Sequence, residues 1–411
     1  LRAAGYQPLS ELQPWVLTPG KGYFVTRGAS SLIAFRMPQR SLQSFSICAA
    51  HSDSPCLKLR ENPQLLQGDY VRLCAEPYGG MLRRSWMDRP LSVAGRVLLN
   101  TPQGLVSRLV DFAEPCLILP SVAIHLDRSV NEHGVCDPAS DLQPVFGTCA
   151  LADDFAARLA ALAGTAPEQI LGSDLFVYLP DAGVQLGDLI AAPRLDDLQC
   201  AFAALQGLLT ADAAAIDGAP VFCLFDHEEV GSLTRQGAAS TFLHDTLQQI
   251  FDDAAPSGAS LQQIFAGSFL LSCDNAHAVH PNHPEYADGH DAPRLNQGIV
   301  IKQNVNQKYA TDAQSAAMLR LLCQVAQVPV QSYCNRPGAP GGSTLGNLIR
   351  MQVAIPTADL GLPQLAMHAA LETAGAKDTA YLCALCRTFF SHRFSHTLQP
   401  DGSFAIQLLD A

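Results

Sequence analysis

The stretch Ala219–Phe225, which reads Ala-Pro-Val-Phe-Cys-Leu-Phe, is an uninterrupted apolar run that ends directly before Asp226-His227-Glu228-Glu229. A short apolar run of this kind is typical of a strand buried on both faces, as in a parallel sheet covered by helices. Three acids and a histidine at the end of such a strand are costly to bury unless a cation neutralises them. The stretch therefore predicts a strand that leads into a metal site.

Three further apolar runs lead toward residues that can bind a metal ion. A parallel sheet gathers the carboxyl ends of its strands at one edge, where ligands bind. We therefore expect the polar residues after these runs to lie close together. The runs and their followers are Ser44–Ala50 with His51, Ser268–Cys273 with Asp274, and Gln352–Leu360 with His368, the last beyond a loop of Gly361, Leu362 and Pro363.

Amphipathic helical patterns alternate with the apolar runs. One spans Asp196–Ala215, and another spans Thr311–Val325 with Thr311 as its predicted N-cap. Strands that alternate with helices predict an α/β domain, here with a mixed, mainly parallel sheet sandwiched by helices.

The stretch from 59 to 186 has a different pattern, because short β-like runs separated by turn residues dominate it. Candidate metal ligands lie on both sides of this stretch. We therefore predict a β-rich domain, 59–186, inserted into an α/β catalytic domain made of 1–58 and 187–411. The runs are Tyr70–Leu73, Leu91–Leu99, Leu117–Ile124 and Leu175–Leu179, with one helical pattern at Leu151–Ala163.

The composition narrows the class of protein. The 411 residues carry a formal net charge of -12 from 38 acidic and 26 basic residues, without a conspicuous run of Lys or Arg, which argues against a nucleic-acid partner. No apolar stretch reaches the ~18 residues that a membrane span needs. The 13 cysteines are scattered and odd in number, which favours a reducing compartment. We expect a cytoplasmic protein that binds neither nucleic acid nor membrane.

His51 and Asp53 are two residues apart, so in an extended chain they face the same side. Asp53 can then accept the second N–H of the His51 ring and fix the tautomer that binds metal. By itself, His-x-Asp fits an ordinary polar loop equally well.

The adjacent acids Asp196 and Asp197 stand at a predicted helix start. Acids in a first helical turn interact favourably with the helix dipole, and this interpretation suits Asp197. For Asp196 the alternative is a carboxylate that bridges two metal ions. Many such sites have a cis non-proline peptide after the acid, and the Asp196–Asp197 bond is our candidate for one.

The pair Glu228-Glu229 fits a division of labour in which one acid binds metal and its neighbour is a general base. A crowded acidic pocket raises a carboxyl pKa toward working pH, as such a base requires. Asp226 and His227 also fit a solvated loop.

A histidine cluster follows Asp274 in the sequence. Asn and Pro interrupt it, so we expect at least two of His277, His280 and His283 to lie in a loop or behind the ligands. His368, taken alone, is more often a half-buried, hydrogen-bonded residue than a ligand.

The combined set is more specific than any member, because nitrogen and oxygen ligands without thiolate suit catalytic zinc, and also manganese or cobalt. Five ligands that share one carboxylate make two open sites with room for a bridging water. The five are His51, Asp196, Glu229, Asp274 and His368.

Five segments, in order along nearly the whole chain, closely resemble the aspartyl aminopeptidase family of co-catalytic zinc peptidases. They are Ala50–Pro55, Pro193–Leu198, Asp226–Ser232, Asp274–Pro281 and Pro363–His368, with supporting matches at Trp86–Arg89, Ala94–Arg96, Ala123–Leu126, Ile301–Lys302 and Tyr309–Ala310. The chain departs from the family at Asp197 and His227, where relatives often have Asn, and in the loop Asn335–Gly342.

The resemblance implies two Zn2+ ions per subunit in a zinc-exopeptidase-like fold. One ion would be held by His51 and Asp274, the other by Glu229 and His368, with Asp196 bridging them. Glu228 would be the general base and Asp53 the residue that orients His51.

The resemblance also implies that the inserted domain pairs subunits and that the protein forms a tetrahedral homododecamer. His125 would then reach the active site of a neighbouring subunit. The alternative for His125 is a strand residue packed at an interface.

The implied function is a metalloaminopeptidase that removes the N-terminal residue of peptides, with a preference for Asp or Glu that rests mostly on the resemblance. A metal-bridged hydroxide would attack the scissile carbonyl after Glu228 removes its proton. Lys302 can pair with an acidic substrate side chain, or be an ordinary surface lysine. Tyr309 can donate to the tetrahedral oxyanion.

Three alternatives remain open. The chain can be a related di-zinc carboxypeptidase or amide deacylase, a tetrahedral aminopeptidase of a neighbouring family, or a catalytically idle shell that uses the dodecamer for storage.

Overall fold

The structure, a computed structural model, describes residues 1–134, 136–149, 154–212, 217–339 and 341–409. The chain divides into two units. The first comprises Leu1–Asp53, Gln185–Leu365 and Thr373–Ala411, and the second comprises Ser54–Val184 and Ala366–Glu372.

The strands are numbered in chain order. They are β1 (Gln7–Leu9), β2 (Gly22–Arg27), β3 (Ser31–Arg36), β4 (Ser44–His51), β5 (Cys56–Gln67), β6 (Tyr70–Tyr78), β7 (Pro90–Thr101), β8 (Gly104–Asp111), β9 (Leu117–Ile118), β10 (Val145–Thr148), β11 (Ile170–Tyr178), β12 (Val184–Leu186), β13 (Leu189–Ala192), β14 (Gly218–Phe225), β15 (Phe269–Cys273), β16 (Ala276–His277), β17 (Ile299–Gln303), β18 (Val330–Cys334), β19 (Thr357–Gly361), β20 (Pro363–Leu365), β21 (Glu372–Gly375), β22 (Arg393–Leu398) and β23 (Phe404–Leu409).

The α-helices are numbered in the same way. They are α1 (Val130–His133), α2 (Phe155–Ala163), α3 (Leu195–Thr210), α4 (Phe242–Ala254), α5 (Leu261–Ala266), α6 (Ala313–Ala326), α7 (Leu345–Gln352) and α8 (Asp378–Phe390).

In the described residues, the first unit is built on a nine-stranded sheet with the order β1-β2-β3-β14-β4-β15-β19-β17-β18. At its centre, β4 pairs in parallel with β14 and β15, and β15 pairs in parallel with β19. Antiparallel pairs, β14 with β3 and β17 with β19, flank this centre. The sheet is therefore mixed and mainly parallel, as predicted.

Helices cover both faces of this sheet. Apolar residues of α3, α6 and α8 pack on one face, and those of α4, α5 and α7 pack on the other. Every residue of β4 is buried, which is the reason that its sequence is apolar almost throughout. Gly207 lets α3 approach α8 closely, because a Cβ there would lie 2.4 Å from the Cβ of Cys386. The predicted α/β sandwich is confirmed.

Two predictions about element boundaries in the first unit are wrong. The run Gln352–Leu360 is not one strand, because Gln352 ends α7, whose buried Leu345 and Ile349 have helical spacing, and β19 begins only at Thr357. The Gly-Leu-Pro loop is also absent from the described residues: β19 extends to Gly361, and β20 begins at Pro363.

Thr311 is not the N-cap of α6, and this prediction is wrong too. Asp312 caps the helix instead, through a capping box with Ser315. The Thr311 hydroxyl accepts the main-chain N–H of Asp359 at 2.8 Å.

The second unit contains, in its described residues, a seven-stranded sheet with the order β11-β5-β6-β10-β9-β7-β8. Because β11 also pairs with β7, six of these strands form a closed, barrel-like ring with β8 at its side. Phe155 and Leu159 of α2 belong to its apolar core. This unit is β-rich, as expected for the predicted insert 59–186.

Two elements of this unit are shorter than predicted. The run Leu117–Ile124 keeps only the short strand β9, which ends two residues before Pro120, a residue without the N–H that a strand needs. The helix predicted over Leu151–Ala163 begins at Phe155 after the N-cap Asp154, and residues 151–153 lie outside the described residues. In the part of the chain that the structure describes, no helix is long and apolar enough to cross a membrane.

Candidate metal centre

His51 is the last residue of β4 and is 1% exposed. Its Nε2 lies 3.3 Å from Asp196 Oδ1 and 3.9 Å from Asp274 Oδ1. Asp274 directly follows β15, the parallel neighbour of β4, so two adjacent strands deliver two of the three groups. The carboxyl edge of the sheet thus gathers residues that are far apart in sequence.

These three donor atoms fit a metal ion. They lie within 4.8 Å of one another. Bonds of about 2.0–2.2 Å from His nitrogen and carboxylate oxygen to a zinc ion place neighbouring ligand atoms roughly 3–4 Å apart. A cation can therefore be held by His51, Asp196 and Asp274 after small adjustments of their side chains.

Asp196 and Asp197 stand at the start of α3 with non-helical backbone angles. The peptide between them is cis, as predicted. Asp197 is an acid of the first turn of α3, as we interpreted it, but it is also fully buried, and its Oδ2 accepts the main-chain N–H of His51 at 3.1 Å. Asp197 therefore fixes the end of β4 from which the His51 side chain projects.

Glu228 and Glu229 begin a short 3-10 turn after β14. His227 allows this turn by adopting a left-handed conformation, with φ of 62°. One donor group of the described residues combines His51, Glu228 and Glu229, whose ligand atoms lie within 4.8 Å of one another. The turn therefore brings both glutamates to the same place as His51.

Asp53 supports this site in a way that the sequence did not indicate. His51 Nδ1 lies 3.0 Å from the main-chain oxygen of Asp53 and 3.4 Å from its Oδ1. The two carboxylate oxygens of Asp53 accept the main-chain N–H groups of Glu228, at 3.0 Å, and Glu229, at 3.1 Å. Asp53 thus holds the glutamate turn as well as the imidazole.

The electrostatics of the site favour a cation. Although burial by itself lowers the pKa of His51, hydrogen bonds to Asp196, Asp274 and Asp53 raise it well above its usual value. A site that draws a proton onto a fully buried imidazole has excess negative charge, which a metal ion neutralises. Burial, with added repulsion from Asp274, also raises the pKa of Glu228 to about 7, which suits a general base near neutral pH.

Lys302 lies at the same site. It is 3% exposed, so the interpretation as a surface lysine is wrong. Its Nζ is 3.2 Å from Asp274 Oδ2 and 5.7 Å from the centre of the Tyr309 ring, itself 5% exposed. Burial raises the pKa of the Tyr309 hydroxyl, which keeps its proton for donation.

His368 and His125 both belong to the second unit. His368 has φ of 67°, and its Nδ1 lies 3.0 Å from the main-chain oxygen of Gly80, a contact that favours the tautomer with the lone pair on Nε2. His125 is exposed and lies in a turn, so it is not a strand residue. The functional roles of both residues stay predictions.

The other histidines after Asp274 do not join a donor group within the described ranges. His277 is in β16 with its ring 6.1 Å from that of Tyr333, and His280 and His283 are exposed in the following loop. A separate group of three thiols, Cys48, Cys273 and Cys386, lies in the apolar core, where thiols pack as small hydrophobic side chains.

Asn275 is a supporting residue that sequence reasoning missed. Its side-chain amide donates to the main-chain oxygen of Leu195 at 3.1 Å and contacts the Gln364 side chain, which ties the start of α3 to β20. Its position directly after Asp274 was the only signal in the sequence.

A mixed α/β sheet with a histidine and carboxylates gathered at the carboxyl ends of its central strands, beside a glutamate poised near neutral pKa, defines a metal-dependent hydrolase. Comparisons with known proteins support a narrower statement. The family model described as Aminopeptidase I zinc metalloprotease (M18) matches residues 1–390.

Curated relatives match along most of their length. The chain is 39% identical over 404 residues to the probable M18 family aminopeptidase 2 of Pseudomonas putida strain GB-1, covering 96% of this chain and 92% of that protein. It is 40% identical over 405 residues to the protein of the same name from Pseudomonas aeruginosa strain LESB58, covering 95% of this chain and 92% of that protein.

Solved structures agree with this. A chain of the Ape4 and Nbr1 complex, determined by cryo-EM, superposes with a TM-score of 0.90 at 31% identity, covering 100% of this chain and 93% of that one. A chain of the S. cerevisiae mApe1 dodecamer superposes with a TM-score of 0.82 at 27% identity, covering 95% of this chain and 90% of that one. The chain belongs to the M18 family of zinc aminopeptidases, hydrolases that act on peptides.

Proposed function

We propose that this M18 enzyme binds two metal ions per subunit, uses Glu228 as its general base and prefers peptides that begin with Asp or Glu. The observation that carries the proposal is the convergence of His51, Asp196 and Asp274 beside Glu228 and a buried Lys302. His51, Asp196 and Asp274 are the metal ligands in this proposal. Glu228 is the base, and Lys302 is the positive charge that pairs with an acidic substrate side chain.

As the resemblance implies, His51 and Asp274 would hold one ion, Glu229 and His368 would hold the other, and Asp196 would serve both. The distances among His51, Asp196 and Asp274 support the first ion, and the resemblance supports the assignment of His368. Zinc fits the donor set and the family, and manganese or cobalt suit the same ligands. When bound, the ions polarise the scissile carbonyl and acidify a water molecule.

The chain's own residues move the protons. Glu228 accepts a proton from the attacking water and returns it to the departing amine, which its pKa of about 7 allows in both directions. Asp53 keeps Glu228 in place through the main-chain N–H. The Tyr309 hydroxyl donates to the oxygen that becomes negative during the attack.

Lys302 selects the substrate's first side chain. The buried ammonium group lies 3.2 Å from Asp274 Oδ2, and its positive charge also attracts an acidic first side chain of the substrate, whereas an apolar side chain gains nothing from it. A panel of peptides that begin with Asp, Glu, Leu or Ala, together with N-acyl amino acids and peptides with a blocked N-terminus, tests this specificity.

The panel is run before and after chelation and after zinc is restored. We expect zinc-dependent release of N-terminal Asp and Glu at least about 10-fold faster than Leu, as one charged contact predicts. Cleavage at the C-terminus, or of N-acyl amino acids, would instead favour the carboxypeptidase or deacylase alternative. A zinc-loaded protein inert toward every free-amine peptide would favour the idle shell.

Substituting Lys302 by Met should reduce the selectivity for acidic residues. We expect the kcat/KM ratio of Asp over Leu peptides to fall about 10-fold or more, because the charged contact is lost while the chain keeps a similar shape. Steady-state kinetics on matched Asp-Ala and Leu-Ala peptides measure the ratio. Lys308→Met, in the following loop, is the matched control and should keep the wild-type ratio.

Substituting Asp53 by Asn should weaken metal binding, because an amide cannot accept the N–H groups of both Glu228 and Glu229 and orient His51 as a carboxylate does. We expect metal affinity to fall about 10- to 100-fold, as for other residues that support metal ligands. Competition with a zinc chelator measures the affinity. An unchanged affinity would remove Asp53 from the site's support.

We also propose a homododecamer in the cytoplasm. The related S. cerevisiae mApe1 is a dodecamer, and all 13 cysteines are free thiols in the described structure, which fits a reducing compartment. In such an assembly, His125 reaches a neighbouring active site. Light scattering measures the mass, and a His125→Ala variant that keeps its dodecamer but loses activity would support the role of His125.

A further inference from the structure

Asp359 in β19 is a fully buried carboxylate that the proposed mechanism does not use. An ionised carboxyl group is seldom buried without partners that compensate for its lost hydration. The contacts of Asp359 therefore indicate what this charge does.

The Asp359 carboxylate joins two loops near the site. One oxygen accepts the main-chain N–H of Ala310, the residue directly after Tyr309. The other accepts the Thr344 hydroxyl at 2.7 Å. With the Thr311 contact to its main chain, Asp359 fixes both the segment that carries Tyr309 and the start of α7.

The start of α7 is built around this carboxylate. Thr344 is the N-cap of α7, but among the described residues its side chain makes no capping hydrogen bond, unlike most Thr N-caps. Gly346 lets the first turn of α7 lie close to the Asp359 carboxylate, since a Cβ at this position would be 2.8 Å from Asp359 Oδ1. The N–H of Gly346 donates to Ser272 Oγ at 2.9 Å. The Thr344 side chain therefore donates to Asp359 instead of capping α7.

Lys302 faces the same carboxylate from the neighbouring strand. The antiparallel pair of β17 and β19 matches Ile301 with Leu360, so Lys302 and Asp359 are the next residues in this register. Opposite residues of an antiparallel pair point to the same face. Burial raises the pKa of Asp359, and hydrogen bonds from Ser272, Thr344 and Ala310, together with the positive charge of Lys302, offset part of this rise.

We infer that Asp359 is a positioning residue for substrate selection, which holds Lys302 and the Tyr309 segment in the arrangement that receives an acidic N-terminal side chain. The inference rests on the proposed role of Lys302. It assigns Asp359 no contact with substrate or metal.

Asp359→Asn tests this inference. The amide keeps the shape of the carboxylate, but its NH2 group cannot accept a hydrogen bond, so Asn cannot accept from both the Ala310 N–H and the Thr344 hydroxyl as Asp359 does. We expect KM for an Asp-Ala peptide to rise about 10-fold, the cost of a lost hydrogen bond to a charged group. For Leu-Ala, kcat/KM should fall only through the loosened Tyr309 segment, so the ratio of kcat/KM for Asp-Ala over Leu-Ala should fall about 10-fold, while zinc content should equal that of the wild type.

A pair of variants at Thr344 supplies the matched control and decides the question if Asp359→Asn does not fold. Thr344→Val removes the donor to Asp359 and should raise KM for Asp-Ala in the same direction. Thr344→Ser retains a hydroxyl and should behave like the wild type.

The outcomes separate this inference from the proposed function. Equal losses on Asp-Ala and Leu-Ala, or an unchanged KM for Asp-Ala, in both Asp359→Asn and Thr344→Val would overturn the positioning role while leaving Lys302 untouched. An unchanged Asp-to-Leu ratio in Lys302→Met would instead refute the proposed specificity, and the inference with it.

Discussion

Glu228→Gln should lower kcat on Asp-Ala by roughly 10²–10⁴ while zinc content and assembly stay at the wild-type level. The amide has nearly the same shape as the carboxyl group but cannot accept a proton from water. The main-chain N–H of Glu228 still reaches Asp53, so the turn that positions Glu229 remains in place. The loss should therefore fall on the chemical step.

The measurement is steady-state kinetics together with the zinc content of the same preparation. Glu285→Gln makes the same chemical change at an exposed position and should leave kcat unaltered. Turnover at the wild-type rate in a zinc-loaded Glu228→Gln variant would exclude Glu228 as the general base. A loss of zinc in parallel with activity would assign Glu228 to metal binding instead.

Asp196→Ala should lose bound metal as well as activity. A carboxylate that serves both ions contributes to both sites, so its removal should weaken zinc binding by more than the roughly 10- to 100-fold that supporting residues cost. It also leaves His51 and Asp274 without the neighbour that lies 3.3 Å from the imidazole. Activity should fall below detection at ordinary zinc concentrations.

Zinc titration and metal analysis after dialysis measure this effect. Asp252→Ala, at an exposed position in α4, is the matched control and should bind zinc like the wild type. Full occupancy of two ions in Asp196→Ala would contradict the bridging role. Loss of one ion with retention of the other would restrict Asp196 to a single site.

The sequence was most informative where a side chain's role depends on its position at the end of a buried strand. His51 and Asp274 were found because each follows an apolar run, and parallel strands bring their carboxyl ends together. The cis bond at Asp196–Asp197 was also predicted correctly.

The sequence was least informative where a role depends on contacts between distant segments. The sequence indicated Asp197 as a helix-start acid, but not that its carboxylate accepts the His51 N–H across 146 positions of sequence. Lys302 fitted a surface lysine equally well until its burial beside Asp274 was known. Asp359 had no signal, because its partners Ala310 and Thr344 lie on two separate loops.

By itself, the sequence determined the α/β class, the M18 family and the candidate ligand set, because apolar runs and the residues after them are local patterns. Only the tertiary structure showed which carboxylates hold other residues of the site in place. Asp53 accepts the N–H groups of the glutamate turn, Asp197 accepts the N–H of His51, and Asp359 lies opposite Lys302 in the sheet. The physical reason is that burial creates the need to compensate each charge, and burial depends on how distant segments pack.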